Sequence, residues 1–275
     1  YAIKQIEYSN FSRIDNIYNE IEILQSLKKK EQNNITKLFE YFFFRKDLYL
    51  VLKLYYSTLH DYIDGKQYTN NNKNHINYIK QLTNAIDFLN KNNVIHRDIK
   101  PNNIVFKDNK LENIILIDFG NSCFSNKIDY RNNLKIQTIN YRAPEVIINS
   151  LVNHKIHYNY KIDIWSLGCV IYELFFKKRL FDNNKNIELF VNYNIIFNNP
   201  GLDFLTKFPE LHKYYDDIEN PSYIKFNNKI YGFKKKDFIK KHEEHKNIIE
   251  LVLRCCEWNI DDRIDCKTII EFLYL

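Results

Sequence analysis

Apolar and polar residues alternate at the start of the chain and then adopt other periods. Residues 1–7 alternate one by one, which is typical of a half-buried strand. Residues 15–27 place apolar side chains at helical spacing, with glutamates between them, and so predict a helix. Residues 35–44 and 48–54 are rich in β-branched and aromatic side chains and predict two strands, joined by the turn "RKD".

The pattern becomes helical after residue 54. Residues 68–77 are polar and rich in Asn, and we expect a loop there that leads into a helix over 76–89. Two short apolar runs, 104–106 and 114–117, predict strands separated by a polar turn. Further helices are predicted at 164–176, 187–197, 248–258 and 268–273.

These elements predict an α+β protein with a strand-rich beginning and a larger helical remainder. We set the boundary near residue 54, which gives a small portion 1–54 and a large portion 55–275. The sequence has no internal repeat. The stretch 198–243 mixes Asn, Pro, Lys and aromatic residues without a clear period, and we interpret it as an insert of undetermined structure.

Composition supports a soluble globular protein. Hydrophobic residues make up 45% of the 275 residues and charged residues 27%. No stretch approaches the roughly 20 apolar residues of a membrane-spanning helix, and no secretory signal sequence is visible. The five cysteines have no framework spacing, so we expect a reducing, intracellular environment (cytoplasm or nucleus) and buried thiols at Cys255 and Cys256.

The net charge of +6 is compatible with an acidic partner such as a nucleic acid or a membrane surface. An AT-rich coding bias explains it better, because Asn, Lys, Ile, Tyr and Phe are abundant while only five residues are Gly. The lysine runs at 28–31 and 233–241 then become solvated surface. We find no zinc-finger spacing and no RNA-recognition signature, and therefore expect no specific nucleic-acid binding and no membrane partner.

Three short motifs carry the candidate chemistry. They are "HRDIKPNN" at 96–103, "DFG" at 118–120 and "YRAPE" at 141–145. Each alone could arise by chance, but their combination in this order is specific. With them the chain resembles a eukaryotic protein kinase domain over essentially its whole length.

The resemblance extends to three longer segments and implies a bilobal kinase fold. "YAIK" at 1–4 matches the third strand of the family's N-lobe, and "EIEILQSL" at 20–27 matches its helix αC. "DIWSLGCVIYEL" at 163–174 matches the central helix of the C-lobe. Residues 1–54 would then be a partial N-lobe and 55–275 the C-lobe.

Kinase chemistry requires positioning and charge neutralisation around ATP and Mg²⁺. Lys4 is a flexible cation suited to the α- and β-phosphates, and it needs a carboxylate partner to be buried. The resemblance selects Glu20 for that role, with Glu22 as a rival. Taken alone, a lysine such as Lys4 is more often an exposed strand lysine.

The catalytic segment supplies the remaining polar groups. Asp98 would accept or orient the proton of the attacking hydroxyl, and Lys100 would steady the transferring phosphate. Asn103 and Asp118 provide the hard oxygen ligands that Mg²⁺ prefers. The resemblance adds Thr138 as a hydrogen-bond partner of Asp98 and Lys100. Loop capping is the alternative role for such Asp and Asn residues.

The resemblance also implies an adenine site and structural contacts. Adenine would lie between Ala2 and Val105, beside a gatekeeper and a hinge formed by Leu52, Lys53, Leu54 and Tyr55. Glu145 should form a buried ion pair with Arg263. A hydrophobic spine would contain Leu24, Leu38, His96 and Phe119, anchored by Asp163.

Arg142 and the long insert resemble the cyclin-dependent and MAP-kinase-like group, and "IDFGNSCF" most resembles the dual-specificity tyrosine-regulated kinases. In that group such an arginine holds a backbone carbonyl near the pocket for the residue after the target, which implies a Ser/Thr-Pro preference. The subfamily's activation-loop tyrosine is replaced by Lys135, and Asn133 and Ile139 also depart from the group. We therefore expect activity independent of loop phosphorylation, although Arg97 is of the type that holds such a phosphate; Tyr130, Ser122 and Ser125 are the alternative sites.

The leading hypothesis is a serine/threonine protein kinase that acts on protein substrates. A catalytically impaired pseudokinase or scaffold is the alternative, because the family's glycine-rich loop and its first two strands would precede residue 1. On this ground we expect the 275-residue chain to bind ATP poorly. A small-molecule kinase is disfavoured by Lys100 and the 118–145 segment, which resemble features of protein kinases.

Overall fold

The computed structural model describes residues 1–7, 14–28, 30, 34–127, 136–152, 157–219, 221 and 223–274. The chain divides into two compact units, which are Tyr1–Ile128 together with Leu273–Leu275, and Asp129–Phe272. Strands and helices share the first unit, and helices dominate the second. This confirms the α+β class, while the lobe boundary near residue 54 stays a prediction.

A three-stranded antiparallel sheet begins the first unit. Its strands are β1 (Ala2–Ile6), β2 (Leu38–Phe44) and β3 (Asp47–Leu52), in the order β1-β3-β2 among the described residues. The register sets Lys4 opposite Leu50, which is fully buried. The strand predicted at the start of the chain is therefore confirmed, with Ala2, Lys4 and Ile6 half-buried on one face and Ile3 and Gln5 exposed on the other.

The hairpin between β2 and β3 turns on Arg45 and Lys46, both with positive φ (48° and 76°). Two-residue hairpin turns with this backbone normally use Asn or Gly, which adopt it at lower cost. Strand β2 lies at the sheet edge, and every residue after Leu38 in it is exposed. Five of those six residues are aromatic.

Helix α1 (Ile14–Lys28) contacts β2 and the segments 119–121 and 123–124. Ile21, Leu24 and Leu27 are buried at the helical spacing expected from the sequence, and Glu20 is buried beside them. The helix thus carries one carboxylate into the interior of the first unit.

Helices α2 (Leu59–Asp64) and α3 (Asn72–Lys91) follow the sheet. α2 is absent from the sequence prediction, although Thr58 and Asp61 form a reciprocal capping box at its start. α3 begins at Asn72, several residues before the predicted start, because the Asn71 side chain caps the amides of Lys73 and Asn74. Part of the expected Asn-rich loop is therefore helix.

Four short strands hold the loops that bear the motifs. β5 (Ile104–Phe106) pairs with β6 (Ile114–Leu116), as the two apolar runs predicted. β4 (Val94–Ile95) pairs with β7 (Cys123–Phe124), a pairing the sequence does not reveal because each strand has only two residues. Together these pairs bring the segments after residue 95 and after residue 116 to one place.

The second unit is built around a buried helix. Every residue of 162–175 in that helix is buried, which explains its lack of a polar face. Each helix of the described chain is too short or too polar to cross a lipid bilayer. The helices of the unit are α4 (Pro144–Val152), α5 (Lys161–Phe176), α6 (Asn186–Phe197), α7 (Leu202–Lys207), α8 (Lys235–Lys241), α9 (Lys246–Cys255) and α10 (Cys266–Phe272).

Close packing of α5 on α9 depends on Gly168. A Cβ atom at this position would lie 2.7 Å from both the Cys255 Cβ and the Cys256 Sγ, closer than packed atoms allow. Both thiols are buried, as predicted, and all five cysteines of the chain are free. The absence of a side chain at Gly168 thus sets the distance between the two helices.

The insert at 198–243 contains structure that the sequence analysis did not identify. Strands β8 (Tyr223–Phe226) and β9 (Lys229–Gly232) form a hairpin. Its turn residues Asn227 and Asn228 both have positive φ (49° and 58°), a conformation that Asn tolerates well. The Asn-Asn pair between alternating segments was the available signal.

The ion pair between Glu145 and Arg263 is the main buried electrostatic contact of the second unit. Both guanidinium terminal nitrogens donate to the carboxylate, at 2.8 Å and 3.0 Å, and Arg263 is 1% exposed. Arg263 also donates to the carbonyls of Glu257 and Lys161. The predicted pair is therefore confirmed as a bidentate bridge that ties α4 to the segment before α10.

Replacing Glu145 by Ala should lower the free energy of unfolding by about 3–5 kcal/mol, because Arg263 would remain buried without its counter-charge. Urea denaturation of the purified protein measures the loss. Glu250→Ala is the matched control, since Glu250 forms an exposed pair with Arg254 at 2.6 Å one helical turn away. Its expected cost is about 0.5 kcal/mol, and equal losses for the two variants would contradict the argument.

Candidate active site

Lys4 stands at the centre of a three-residue ionic network. Its Nζ lies 2.9 Å and 3.0 Å from the two carboxylate oxygens of Glu20 and 2.9 Å from Oδ1 of Asp118. Strand β1 supplies the lysine, helix α1 supplies the glutamate, and the "DFG" segment supplies the aspartate. Glu20 is 3% exposed, whereas the side chains of Lys4 and Asp118 are 35% and 41% exposed. Glu20 therefore lies in the interior, whereas the Lys4 and Asp118 side chains remain accessible to solvent.

The pKa values follow from burial and from charge. Burial disfavours the charged form of Glu20 more than Lys4 favours it, so the pKa of Glu20 is raised. Burial also acts against the Lys4 ammonium, but its two carboxylate partners outweigh this and raise its pKa. Burial also opposes the charged form of Asp118, but the charge and hydrogen bond of Lys4, together with smaller contributions such as the Gly120 amide, outweigh it and lower the pKa of Asp118. Lys4 and Asp118 are therefore both charged at neutral pH.

Gly120 packs directly against this network. A Cβ atom there would lie 3.3 Å from Oδ1 of Asp118 and from Nζ of Lys4. The amide of Gly120 donates to the same Asp118 oxygen at 3.4 Å. A larger residue would have to displace the charged groups, which gives the glycine of the "DFG" motif a steric reason.

The rival partner Glu22 does not reach Lys4. Its carboxylate accepts from Lys127 at 3.0 Å on the surface, where both side chains are more than half exposed. Two residues along a helix lie on different faces, so Glu20 and Glu22 cannot share one partner. The structure resolves the alternative left open by the sequence in favour of Glu20.

A second polar cluster forms in "HRDIKPNN". Oδ2 of Asp98 accepts from Nζ of Lys100 at 2.9 Å and from Nδ2 of Asn103 at 3.0 Å. Nδ2 of Asn103 also donates to the Asp98 carbonyl at 2.9 Å. Asp98 and Asn103 are buried, and both belong to a short segment between β4 and β5. The carboxylate is thus held in one orientation by two donors.

Left-handed backbone at Arg97 and Asp118 shapes both clusters. Their φ angles are 64° and 62°, a conformation that costs about 1–2 kcal/mol for residues with a Cβ atom. Hydrogen bonds stabilise the segment around Arg97. The Arg97 guanidinium donates to the carbonyls of Asn121 and Ser122, and the Ser122 hydroxyl donates to the His96 carbonyl. Such strain concentrates at functional sites.

The buried side chains of His96 and Phe119 connect the "HRDIKPNN" and "DFG" motifs. The rings meet edge to face with centroids 5.0 Å apart. The amide of Asp98 donates to His96 Nδ1, so Nε2 carries the proton and donates to the Ile117 carbonyl at 3.0 Å. Leu24 and Leu38, the other expected spine residues in this unit, are also buried.

A cleft of about 510 Å³ opens beside the ionic network. It brings together all the residues predicted to contact the nucleotide or the metal, and Asp98 and Lys100 lie next to it through Asn103. Ala2 and Val105 contribute apolar lining, and the segment after β3 forms another wall. The predicted residues that line the cleft are Ala2, Lys4, Glu20, Leu52, Lys53, Leu54, Tyr55, Asn103, Val105 and Asp118.

The cleft also contains six residues that sequence reasoning missed. Tyr55 reaches back to Thr36, with its hydroxyl 3.5 Å from Oγ1. The amide of Tyr56 donates to the Phe106 carbonyl, which anchors the wall to β5. The capping motif at residues 58–61 was a readable signal for two of the six. The missed residues are Thr36, Tyr56, Ser57, Thr58, Asp61 and Ile117.

Several predicted residues are not tested by this arrangement. Thr138 belongs to the second unit, and its hydrogen bond to Asp98 and Lys100 stays a prediction. Lys135, Asn133 and Tyr130 lie outside the described residues. Ser122 is buried with its hydroxyl engaged, which disfavours it as a modification site in this conformation.

Comparisons with known proteins all point to the same family. The profile described as "Protein kinase domain" matches residues 1–275. The chain is 32% identical to the probable serine/threonine-protein kinase dyrk2 of Dictyostelium discoideum, over 90% of this chain and 27% of the relative. It is 28% identical to the dual specificity tyrosine-phosphorylation-regulated kinase 2 of Drosophila melanogaster, over 89% of this chain and 34% of the relative.

Two further similarities agree with this. The human MAPK/MAK/MRK overlapping kinase is 32% identical over 76% of this chain and 48% of the relative. The chain thus spans about a quarter to a half of the length of these curated relatives. The crystal structure of the yeast RNA Pol II CTD kinase CTDK-1 complex matches with a TM-score of 0.74 at 21% identity, covering 98% of this chain and 83% of that chain, which supports the fold. With the family profile matched from the first residue to the last, the chain belongs to the protein kinase family, as the motifs predicted.

Proposed function

We propose that this chain is the catalytic domain of a serine/threonine protein kinase, which transfers the γ-phosphate of ATP to Ser or Thr hydroxyls of protein substrates. The observation that carries the proposal is the network of Lys4 with Glu20 and Asp118, at 2.9 Å, in the lining of the cleft. It offers a fixed cation for phosphates and a carboxylate for a metal ion within one site.

The donor set fits Mg²⁺ and ATP. Asp118 is ionised and half-exposed, and Oδ1 of Asn103 has no hydrogen bond among the described residues, so both offer hard oxygens. Mg²⁺ usually takes one or two protein ligands together with substrate phosphates and water, and would neutralise phosphate charge. The apolar residues Ala2 and Val105 suit a flat aromatic base.

In this proposal the chain's own residues perform three tasks. Asp98 takes the proton of the substrate hydroxyl while the hydroxyl oxygen attacks the γ-phosphorus. The bond between the γ-phosphorus and the β-phosphate oxygen breaks, and ADP leaves. Lys100 holds Asp98 in place and faces the transferred group. Lys4 binds the phosphates that remain with the nucleotide. The pseudokinase alternative has no supporting observation, because these groups are all present and ordered.

Protein substrates, and a location in the cytoplasm or nucleus, belong to the same proposal. We propose no specific nucleic-acid partner and no membrane partner.

We also propose a preference for proline after the target residue, which the contacts of Arg142 in the second unit support. Nε and Nη2 of Arg142 donate to the Gln137 carbonyl at 3.2 Å and 3.0 Å, and Gln137 has a left-handed backbone (φ 59°). With this carbonyl occupied, a substrate residue whose N–H points to it finds no acceptor, whereas proline has no N–H to satisfy. We propose that the surface beside the Gln137 carbonyl receives the residue after the target.

Asp98→Asn should lower kcat by about 10²–10⁴-fold, because the amide cannot take the hydroxyl proton. The KM for ATP should change little, since Asp98 does not line the cleft. Transfer of radiolabelled phosphate to a generic basic protein by the full-length chain is the measurement. Asp64→Asn, on the surface of α2, is the control and should retain activity; full activity of the Asp98 variant would refute the proposal.

Lys4→Met should lower kcat/KM for ATP by about 100-fold or more, because a charge that contacts the phosphates is lost. Glu20→Gln should have a smaller effect in the same direction, since it frees Lys4 to move. The control is Lys127→Met, which removes a lysine of a similar ion pair on the surface. If both lysine variants were equally active, Lys4 would not be the phosphate-binding residue.

Peptides that differ only in Pro or Ala after the target serine test the substrate preference. We expect kcat/KM to be at least about tenfold higher for the Ser-Pro peptide, the scale of one buried unsatisfied amide. Steady-state assays with both peptides measure it. Equal rates would exclude proline direction while leaving kinase activity itself intact.

A further inference from the structure

Arg142 makes a further contact besides its hydrogen bonds to the Gln137 carbonyl. While Nε and Nη2 hold backbone carbonyls, Nη1 donates to Oδ1 of Asn186 at 2.7 Å. Nε also donates to the Ile136 carbonyl at 3.0 Å. All three nitrogens of the guanidinium are therefore engaged, and the third is engaged by a side chain of another element.

Asn186 is itself held in one orientation. It is the first residue of α6 and is half-buried. Its Nδ2 donates to Oγ of Ser150 on α4 at 2.6 Å, and the Ser150 hydroxyl donates to the Ile147 carbonyl. The amide oxygen is thereby turned to Arg142 and the amide nitrogen to α4.

Helix α6 contacts Arg142 at a second point. The hydroxyl of Tyr193 donates to the Arg142 backbone carbonyl, and Tyr193 is fully buried against Trp165 with ring centroids 4.8 Å apart. The backbone of Arg142 is thus fixed by one residue of α6 and its guanidinium by another. A long side chain with several rotatable bonds is ordered at both ends.

The carbonyl that Arg142 holds is also rigid. The buried Gln137 amide donates to the Ile162 carbonyl at 2.9 Å and to the Ser166 hydroxyl at 2.8 Å, and accepts from the Ala143 amide at 2.9 Å. These bonds maintain a left-handed backbone in a residue that is not glycine. The position of the guanidinium is then the adjustable part of the pocket.

We infer that Asn186 is a positioning residue for substrate specificity: it sets the preference for proline after the target by holding Arg142 on the Gln137 carbonyl. The inference rests on the proposed function, since it concerns the substrate pocket of that activity. Without the Asn186 oxygen, the guanidinium spends part of its time away from Gln137. The released carbonyl can then accept the N–H of a non-proline residue, and the advantage of proline falls.

The test compares Asn186→Ala with Asn186→Asp in the full-length chain. Alanine removes the acceptor for Nη1, whereas aspartate keeps an oxygen at the same place and should rescue the contact. The matched control is Asn192→Ala, because Asn192 lies on the same helix and its side chain bonds Asn183 instead of Arg142. The readout is the ratio of kcat/KM for Ser-Pro and Ser-Ala peptides.

We expect the ratio to fall about fivefold in Asn186→Ala, the effect of losing one charge-assisted hydrogen bond in part. It should stay within about twofold of the original in Asn186→Asp and Asn192→Ala. Ser150→Ala, a surface change, should give a smaller fall in the same direction. A general loss of folding would lower both peptide rates together and leave the ratio unchanged.

The outcomes distinguish the role of Asn186, the proline preference and the kinase activity. An unchanged ratio in both Asn186→Ala and Ser150→Ala overturns the role of Asn186 while the kinase activity stands. Equal rates of the unaltered protein on both peptides overturn the proline preference and this inference with it. No transfer to either peptide by the unaltered protein would overturn the proposed function itself.

Discussion

The charge of Lys4 is the constraint on which the candidate site depends. An ammonium group held inside a protein needs counter-charges close by, and here two carboxylates from distant parts of the chain provide them. Satisfying this one cation requires β1, α1 and the segment after β6 to meet. Gly120 suits this place, because a Cβ atom there would lie only 3.3 Å from Asp118 Oδ1 and Lys4 Nζ and would press against both charged groups.

This dependence explains how much the sequence could predict. The alternation at residues 1–7 and the helical spacing at 15–27 determined the elements that carry Lys4 and Glu20. The family motifs added Asp98, Asn103 and Asp118, and the structure brings Asn103 and Asp118 to one cleft with Lys4 and Glu20. The elements and the placement of these residues could be predicted because each rests on a local pattern together with a spacing that is specific to the family, while their catalytic and binding roles stay predictions. The resemblance had selected Glu20 over Glu22, and the structure agrees, since Glu20 is buried against Lys4 whereas Glu22 is exposed and pairs with Lys127.

The residues that were missed depend on contacts made after folding. Asn186 lies 44 residues from Arg142, and nothing in its local sequence indicates a partner. β4 and β7 have two residues each, too few for a period to appear. The hairpin at 223–232 and the capping box at Thr58 did leave local signals, but both lie in segments whose average composition is that of a loop. Tertiary contact decides these cases, and a single sequence does not contain it in readable form.

Strand β2 gives the sheet a surface property distinct from its chemistry. Its exposed, largely aromatic edge has the composition of segments that associate with other chains, with Glu40 its only charge. Arg45 and Lys46 are cations at the end of this strand that oppose such association, and they occupy a turn whose backbone is unfavourable for both. An Asn-Gly turn would relax that backbone and remove both charges at once. At this hairpin the backbone would be more stable with Asn-Gly, whereas solubility is favoured by the charged residues Arg45 and Lys46 that the chain contains.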